Sequence, residues 1–170
     1  MFGFLERVAE YLRELTQLNL KLLGALTEYR RLLIEGATDA IERATPKLDR
    51  IAGEIRVIDE KRRMFVDSYF TAHDWNGPRN FSAISERVRE SDVSDEEAAA
   101  FERASRARME LISVLAEVDA QNSLNLTLIG QGMSFAEVGL KALLGLERNP
   151  STYGPTEGAE EGPSFLDAHA

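Results

Sequence analysis

No cysteine occurs in this chain, and histidine occurs only twice, at His73 and His169. The lack of cysteine excludes a disulfide framework, a thiol nucleophile and a thiolate metal site, and it fits a reducing cytoplasm. His73 stands beside Asp74, but one histidine and one carboxylate make no ligand set, so loop solvation is the reading of that pair. A glycine-rich phosphate loop is also missing. No apolar run approaches the ~18–20 residues of a membrane span. The opening MFGFLERVAEYL has no basic n-region and meets Glu6 early, so it does not read as a secretory signal. β-Branched alternation between turn clusters is absent, and before residue 150 proline occurs only at Pro46 and Pro78. Basic residues are outnumbered, 20 against 29 acidic, for a formal net charge of −9. Such a balance argues against nucleic acid, whose phosphates need clustered Lys and Arg, and against anionic membrane surfaces. The carboxylates sit at solvent-facing helical positions. The expectation is therefore a soluble, cytoplasmic, unprocessed all-α protein that is not an enzyme and uses no cofactor or metal.

What the chain does contain is helical period. Val8, Tyr11, Leu15, Leu18, Leu22, Ala25, Tyr29 and Leu32 step three-four without a break, predicting a first helix over about 4–34. Leu12, Leu26 and Leu33 widen the stripe, so this helix should touch two neighbours. Glu10 with Arg13 and Glu28 with Arg31 read as surface pairs. Gly36 can take the left-handed position that ends a helix, and Thr38 is a fair N-cap for the next. So short a connection forces an antiparallel hairpin.

Ile41, Ala44, Leu48, Ile51, Ile55, Ile58, Arg62, Phe65 and Tyr69 continue the period over about 39–70. Arg62 would lie with its stem on apolar surface and its head in solvent. Pro46 predicts a kink, or a short first turn that restarts there. Asn76-Gly77-Pro78 is a turn, with Trp75 capping the end of the bundle. Phe81, Ile84 and Val88 allow about two further helical turns. Ser94 with Glu97 three residues on is a capping box that opens the last helix.

That helix is predicted over about 95–147. Phe101, Ala104, Arg108, Leu111, Leu115 and Val118 carry its seam. Asn122, Leu126, Ile129, Met133, Ala136, Leu140 and Leu143 continue it, with a stutter at the four-four step 118–122–126. The same stretch holds Gly130, Gly132 and Gly139, each costing a helix interior about 0.5–1 kcal/mol relative to Ala. Two readings stand side by side. Either the glycines let the helix pack closely in its own bundle, or the stripe is kept for something else. Length favours the second. The first two helices span about 45–50 Å each and the third about 80 Å. From about Leu126 onward it should overshoot the hairpin, unless it folds back near Gly130–Gly132. The whole is an elongated antiparallel hairpin plus a third, longer helix, a coiled-coil-like bundle over 1–149. After Pro150 the composition turns to Pro, Gly and acid without a base, predicting a disordered acidic tail over 150–170 whose one apolar pair is Phe165-Leu166.

The hairpin turning at LLIEGATDAIE, the closing helix QNSLNLTLIGQGMSFAEVGLKALLG and the subsequent STYGPTEG together resemble the FlgN family of flagellar type III export chaperones. Asn122, Asn125, Leu128, Ile129, Met133 and Phe135 look like that family's last helix, and Tyr153-Gly154 looks like its post-helix signature. The resemblance implies a cytoplasmic chaperone that binds hook–filament junction proteins through its C-terminal helix. It would keep their terminal helices from associating and bring them to the flagellar export apparatus. Recognition would be helix-in-groove, with Leu126, Ile129, Met133, Leu140 and Leu143 as apolar anchors and Asn122 and Asn125 fixing register. The alternative is a structural coiled coil whose helix ends pair in a homodimer and that has no client.

Overall fold

The computed structural model describes residues 1–143, and the chain divides into two compact units, Met1–Ser134 and Phe135–Ala170. The expected acidic tail, Tyr153-Gly154, Phe165-Leu166 and the last residues assigned to the final helix lie outside the described residues. Among the described residues four helices occur in order: α1 (Phe2–Glu35), α2 (Thr38–Ala72), α3 (Phe81–Glu90) and α4 (Asp95–Leu143). No strand occurs among the described residues, and the all-α class expected from the sequence holds.

α1 buries residues in adjacent pairs: Phe4 and Leu5, Val8 and Ala9, Tyr11 and Leu12, Leu15 and Thr16, Leu18 and Asn19, Ala25 and Leu26. Such doublets are two neighbouring heptad seams, which a helix needs when it packs against two partners at once. One seam faces α2, where Phe4 stacks on Tyr69 at 3.8 Å and Tyr11 meets Phe65 at 5.8 Å. The other faces α4, where Glu6 pairs with Arg103 and the Leu26 carbonyl accepts from Asn125. Both α4 contacts advance together along α1. Within the first unit α4 is therefore parallel to α1 and antiparallel to α2.

The hairpin turn is a Schellman motif. Gly36 sits at φ 66°, its N–H donates to Leu33, and the Ala37 N–H reaches back to Leu32. That geometry makes Ala37, not Thr38, the N-cap of α2, with no side-chain capping bond, and Thr38 becomes its first residue. α2 runs unbroken through Pro46, so the expected restart does not occur. Its inward positions follow the predicted seam: Ile51 is buried, and Ile41, Ala44, Leu48, Ile55, Ile58, Arg62, Phe65 and Tyr69 are half-buried. Arg62 does not leave its head free in solvent but donates to Asp59 at 2.8 and 3.0 Å. Glu10 pairs with Arg7 at 2.6 Å instead of Arg13, while Glu28 and Arg31 pair as expected.

The tightest packing lies at the open end of the hairpin. Phe4, Leu5, Val8, Leu12 and Leu15 of α1 meet Val66 and Phe70 of α2, Ile84 and Val88 of α3, and Ala100, Ala107 and Leu111 of α4. α3 is capped by Asn80, whose Oδ1 accepts from the Ala83 N–H. Trp75 closes this end edge-on, with centroids 5.4 Å from Tyr69 and 5.1 Å from Phe70. His73 is not a free loop residue, since its ring stacks on Tyr69 at 4.0 Å. Phe70 is 1% exposed. Phe70→Ala should therefore lower unfolding stability by about 3–5 kcal/mol in a urea titration read by circular dichroism.

α4 opens on the capping box the sequence predicts. The Glu97 N–H donates to Ser94 Oγ and the Ser94 N–H donates to a Glu97 carboxylate oxygen, at 3.3 and 3.2 Å. The Ser94 N–H, and after it the Met1 ammonium 3.2 Å away, hold the Glu97 carboxyl below the ordinary glutamate range. A depressed carboxyl contributes stability that is present above its unfolded pKa and lost as pH falls through the folded value. Wild type should therefore exceed Glu97→Gln in thermal stability at neutral pH, and the gap should close below the ordinary glutamate pKa. A gap that does not change with pH would count against this linkage.

Candidate functional site

The buried face of α4 runs through Ala100, Ala104, Ala107 and Leu111, then the half-buried Val114, Val118 and Gln121, and reaches Asn125. These positions alternate four-three throughout. The seam thus lies about one residue to the side of the predicted one, and the predicted stutter is absent. Leu115, expected in the seam, is 43% exposed. Three alanines at the start of the seam let α4 approach α1 closely, which large side chains at Phe101 or Arg108 would prevent.

The shift of face separates the two asparagines. Asn122 is exposed. Asn125 is 2% exposed, donates from Nδ2 to the Leu26 carbonyl at 3.0 Å, and accepts from Gln121 at 3.3 Å. Asn125 is thus spent inside the chain, locking α4 to α1, and is not open to set a partner's register. Asn125→Ala should destabilise the protein by about 1–3 kcal/mol by removing the buried amide and its hydrogen bond to the Leu26 carbonyl, while Asn122→Ala should stay within about 0.5 kcal/mol. Parallel denaturant titrations of the two variants check this.

Beyond Asn125 the character of α4 changes. Leu128 and Ile129 are half-buried, and the side chains of residues 131–141 and Leu143 are exposed. Of the expected anchors, Leu126, Met133, Leu140 and Leu143 are exposed, Leu143 to 87%. Leu126, Ile129, Met133, Leu140 and Leu143 fall along one side at helical spacing. Leu124, Phe135 and Val138 are exposed as well, Phe135 to 80%. They fall on the opposite flank of the seam line and were not among the expected anchors. The legible signal for them is that apolar residues cover most of the helical wheel after Asn125, with Thr127, Ser134, Glu137 and Lys141 grouped on a narrow polar strip. Glu137 and Lys141 pair with each other at 2.6 Å, so this strip carries little net field.

The helix does not break at Gly130–Gly132, so of the two expected courses the fold-back is not taken. Thr127 and Ser134 hydroxyls donate to the carbonyls of Ser123 and Gly130 at 3.0 and 3.1 Å. A Cβ added at Gly130, Gly132 or Gly139 would meet nothing within 4 Å among the described residues. Among the described residues the glycines therefore serve no close helix contact. The overhang, however, starts later than the sequence suggested. Partners along α1 and α4 are offset by 97 and 99 residues. In that register Glu35 is level with residues 132–134, so Leu126 lies beside the last turns of α1 and not beyond them.

Among the described residues no group of three metal-ligating side chains forms, and no helix is long and apolar enough to cross a membrane. The described residues thus form a helical bundle whose long helix leaves apolar side chains uncovered. The sequence profile of the family described as FlgN protein matches residues 1–161, and the chain belongs to that family. The family is one of flagellar export chaperones, and its role is not catalytic. Comparison with curated proteins and with solved structures gave no match.

Proposed function

We propose that this chain works in the cytoplasm as the export chaperone of hook–filament junction proteins. It holds their C-terminal helices on the end of α4, keeps those helices from associating early, and brings them to the export apparatus. The observation that carries the reading is the change of character at Asn125. Up to that residue α4 buries a regular seam, and after it the helix keeps its apolar residues and leaves most of them in water. Exposed contiguous apolar surface of this kind is typical of a partner site. Leu126, Ile129, Met133, Leu140 and Leu143 supply anchors at the spacing of helix-in-groove recognition. Met133 adds a flexible, polarizable surface suited to more than one client. The glycines keep the backbone accessible to a close-lying helix.

Titration calorimetry of the full chain against the C-terminal segments of the two junction proteins from the same source tests this. Ile129→Asp and Leu140→Asp should each weaken binding by at least about 2 kcal/mol, roughly 30-fold, without loss of helical circular dichroism. Undiminished binding in both variants would remove the site from α4. The breadth of the apolar arc also supports a second reading, in which two copies pair through their α4 ends. A tight dimer in light scattering that dissociates on Leu140→Asp, with no client binding, would make that reading the better one.

A further inference from the structure

On its α4 side α1 carries one charge in an otherwise neutral line. Ala9, Thr16, Leu23 and Arg30 recur in steps of seven, each one turn beyond Leu5, Leu12, Asn19 and Leu26, and Leu26 is bonded to Asn125. Ala9 and Thr16 are buried, while Leu23 and Arg30 are half-buried. The offsets of 97 and 99 residues put Arg30 level with residues 127–129, where Leu128 and Ile129 are half-buried. Arg30 Nε is enclosed and has no hydrogen-bond partner, and among the described residues no other buried side-chain nitrogen or oxygen is left so. No carboxylate among the described residues is placed to answer the guanidinium. α4 has no charged residue between Asp119 and Glu137. On α1, Glu28 and Glu35 are both held by Arg31. On α2, Asp39, Glu42 and Arg43 are exposed, and that helix packs on the other seam of α1. Leu124 and Ile34, about one turn to either side of this level, are exposed to 44% and 65%. The residues around Arg30 named here, Ile34, Leu124, Leu128 and Ile129, belong with it to the first unit of the chain.

We infer that Arg30 receives a carboxylate of the client helix held at the end of α4, and so requires an acidic group at one place along that helix. The inference rests on the client reading above. A helix laid over Ile34, Leu124 and Leu128 takes the guanidinium further out of water, and a buried charge without a partner opposes binding. The occupant must therefore bring the counter-charge, since α1, α2 and α4 place none beside Arg30 among the described residues. A guanidinium is a planar fork of donors that matches the two oxygens of a carboxylate. The client can present that group in two ways, as the α-carboxylate at its own C-terminus or as an Asp or Glu side chain. The terminal carboxylate has the further advantage of standing at the negative end of its helix. Arg30 thereby supplies what the apolar anchors cannot, a fixed position for the client along α4.

The test uses the full chain and synthetic C-terminal segments of the two junction proteins, followed by titration calorimetry at low salt. Each segment is made in three forms: with a free terminal carboxylate, with a terminal amide, and with a free terminus but Asn and Gln in place of its Asp and Glu. Arg30→Gln should weaken binding of at least one unaltered segment about tenfold or more, with helical circular dichroism unchanged. For that segment, one of the two altered forms should lose a similar factor against wild type and lose nothing further against Arg30→Gln. Loss in the amide form assigns the terminal carboxylate, and loss in the Asn and Gln form assigns a side chain. Undiminished binding of both segments to Arg30→Gln, or losses from protein and peptide that simply multiply, would overturn the inference. If wild type binds and Ile129→Asp abolishes binding while Arg30→Gln does not weaken it, the client reading stands and the role of Arg30 falls. If wild type binds neither segment, both fall.

Discussion

Everything in the first unit depends on α1 being apolar on two adjacent seams. A helix with one seam could pair with α2 and stop there. With Phe4, Tyr11 and Leu18 on one line and Leu5, Leu12 and Leu26 on the next, α1 must be covered from both sides, and α2 and α4 supply the covers. α4 could then lie either way along α1. The capping box at Ser94 beside Met1, the Glu6–Arg103 pair and the Asn125–Leu26 bond agree on the parallel course. Of these, the buried Asn125 contact is the most exacting, because a slip of α4 by one turn would take its buried amide away from the Leu26 carbonyl.

Packing is unequal along this frame. Near the open end four helices share one core with Phe70 and Leu5 almost wholly enclosed. Toward the turn at Gly36, α2 contributes no fully buried side chain before Ile51. Stability is thus concentrated at one end. The other end is held by a thinner apolar contact and by the Asn125 bond, and it leads into the part of α4 that keeps its apolar residues uncovered.

Much of this was legible in the sequence, and the failures have physical causes. The α2 seam could be read position by position because polar residues separate its apolar ones. The double stripe of α1 was visible in Leu12, Leu26 and Leu33. On α4 the expected Ala104, Leu111 and Val118 face inward, but the positions between them are Ala100, Ala107 and Val114 and not the larger Phe101, Arg108 and Leu115, because small side chains permit close approach. Past Asn125 the apolar arc is so wide that periodicity alone cannot choose its centre. For that reason Asn122 and Asn125 seemed equivalent, and Leu124, Phe135 and Val138 did not stand out. Thr38 looked like a cap because its side chain could be one, but the Schellman bonds from Gly36 and Ala37 had already settled where α2 begins.

The parallel course of α4 has a consequence for the order in which the chain assembles. The contacts that join α4 to α1 are separated by 97 and 99 residues, and closing them from an unfolded chain would mean closing loops of that length. α2 shortens this search. By returning antiparallel, it brings Tyr69 onto Phe4, so the start of α4 needs only the segment after Ala72, with α3 in it, to come back to the same end. Forming the α1–α2 hairpin first turns a long-range closure into a short one, which is the faster route for a helical topology. The helix end that keeps its apolar face open is then the last part of α4 to be made, and it emerges onto a scaffold whose own apolar seams are already covered.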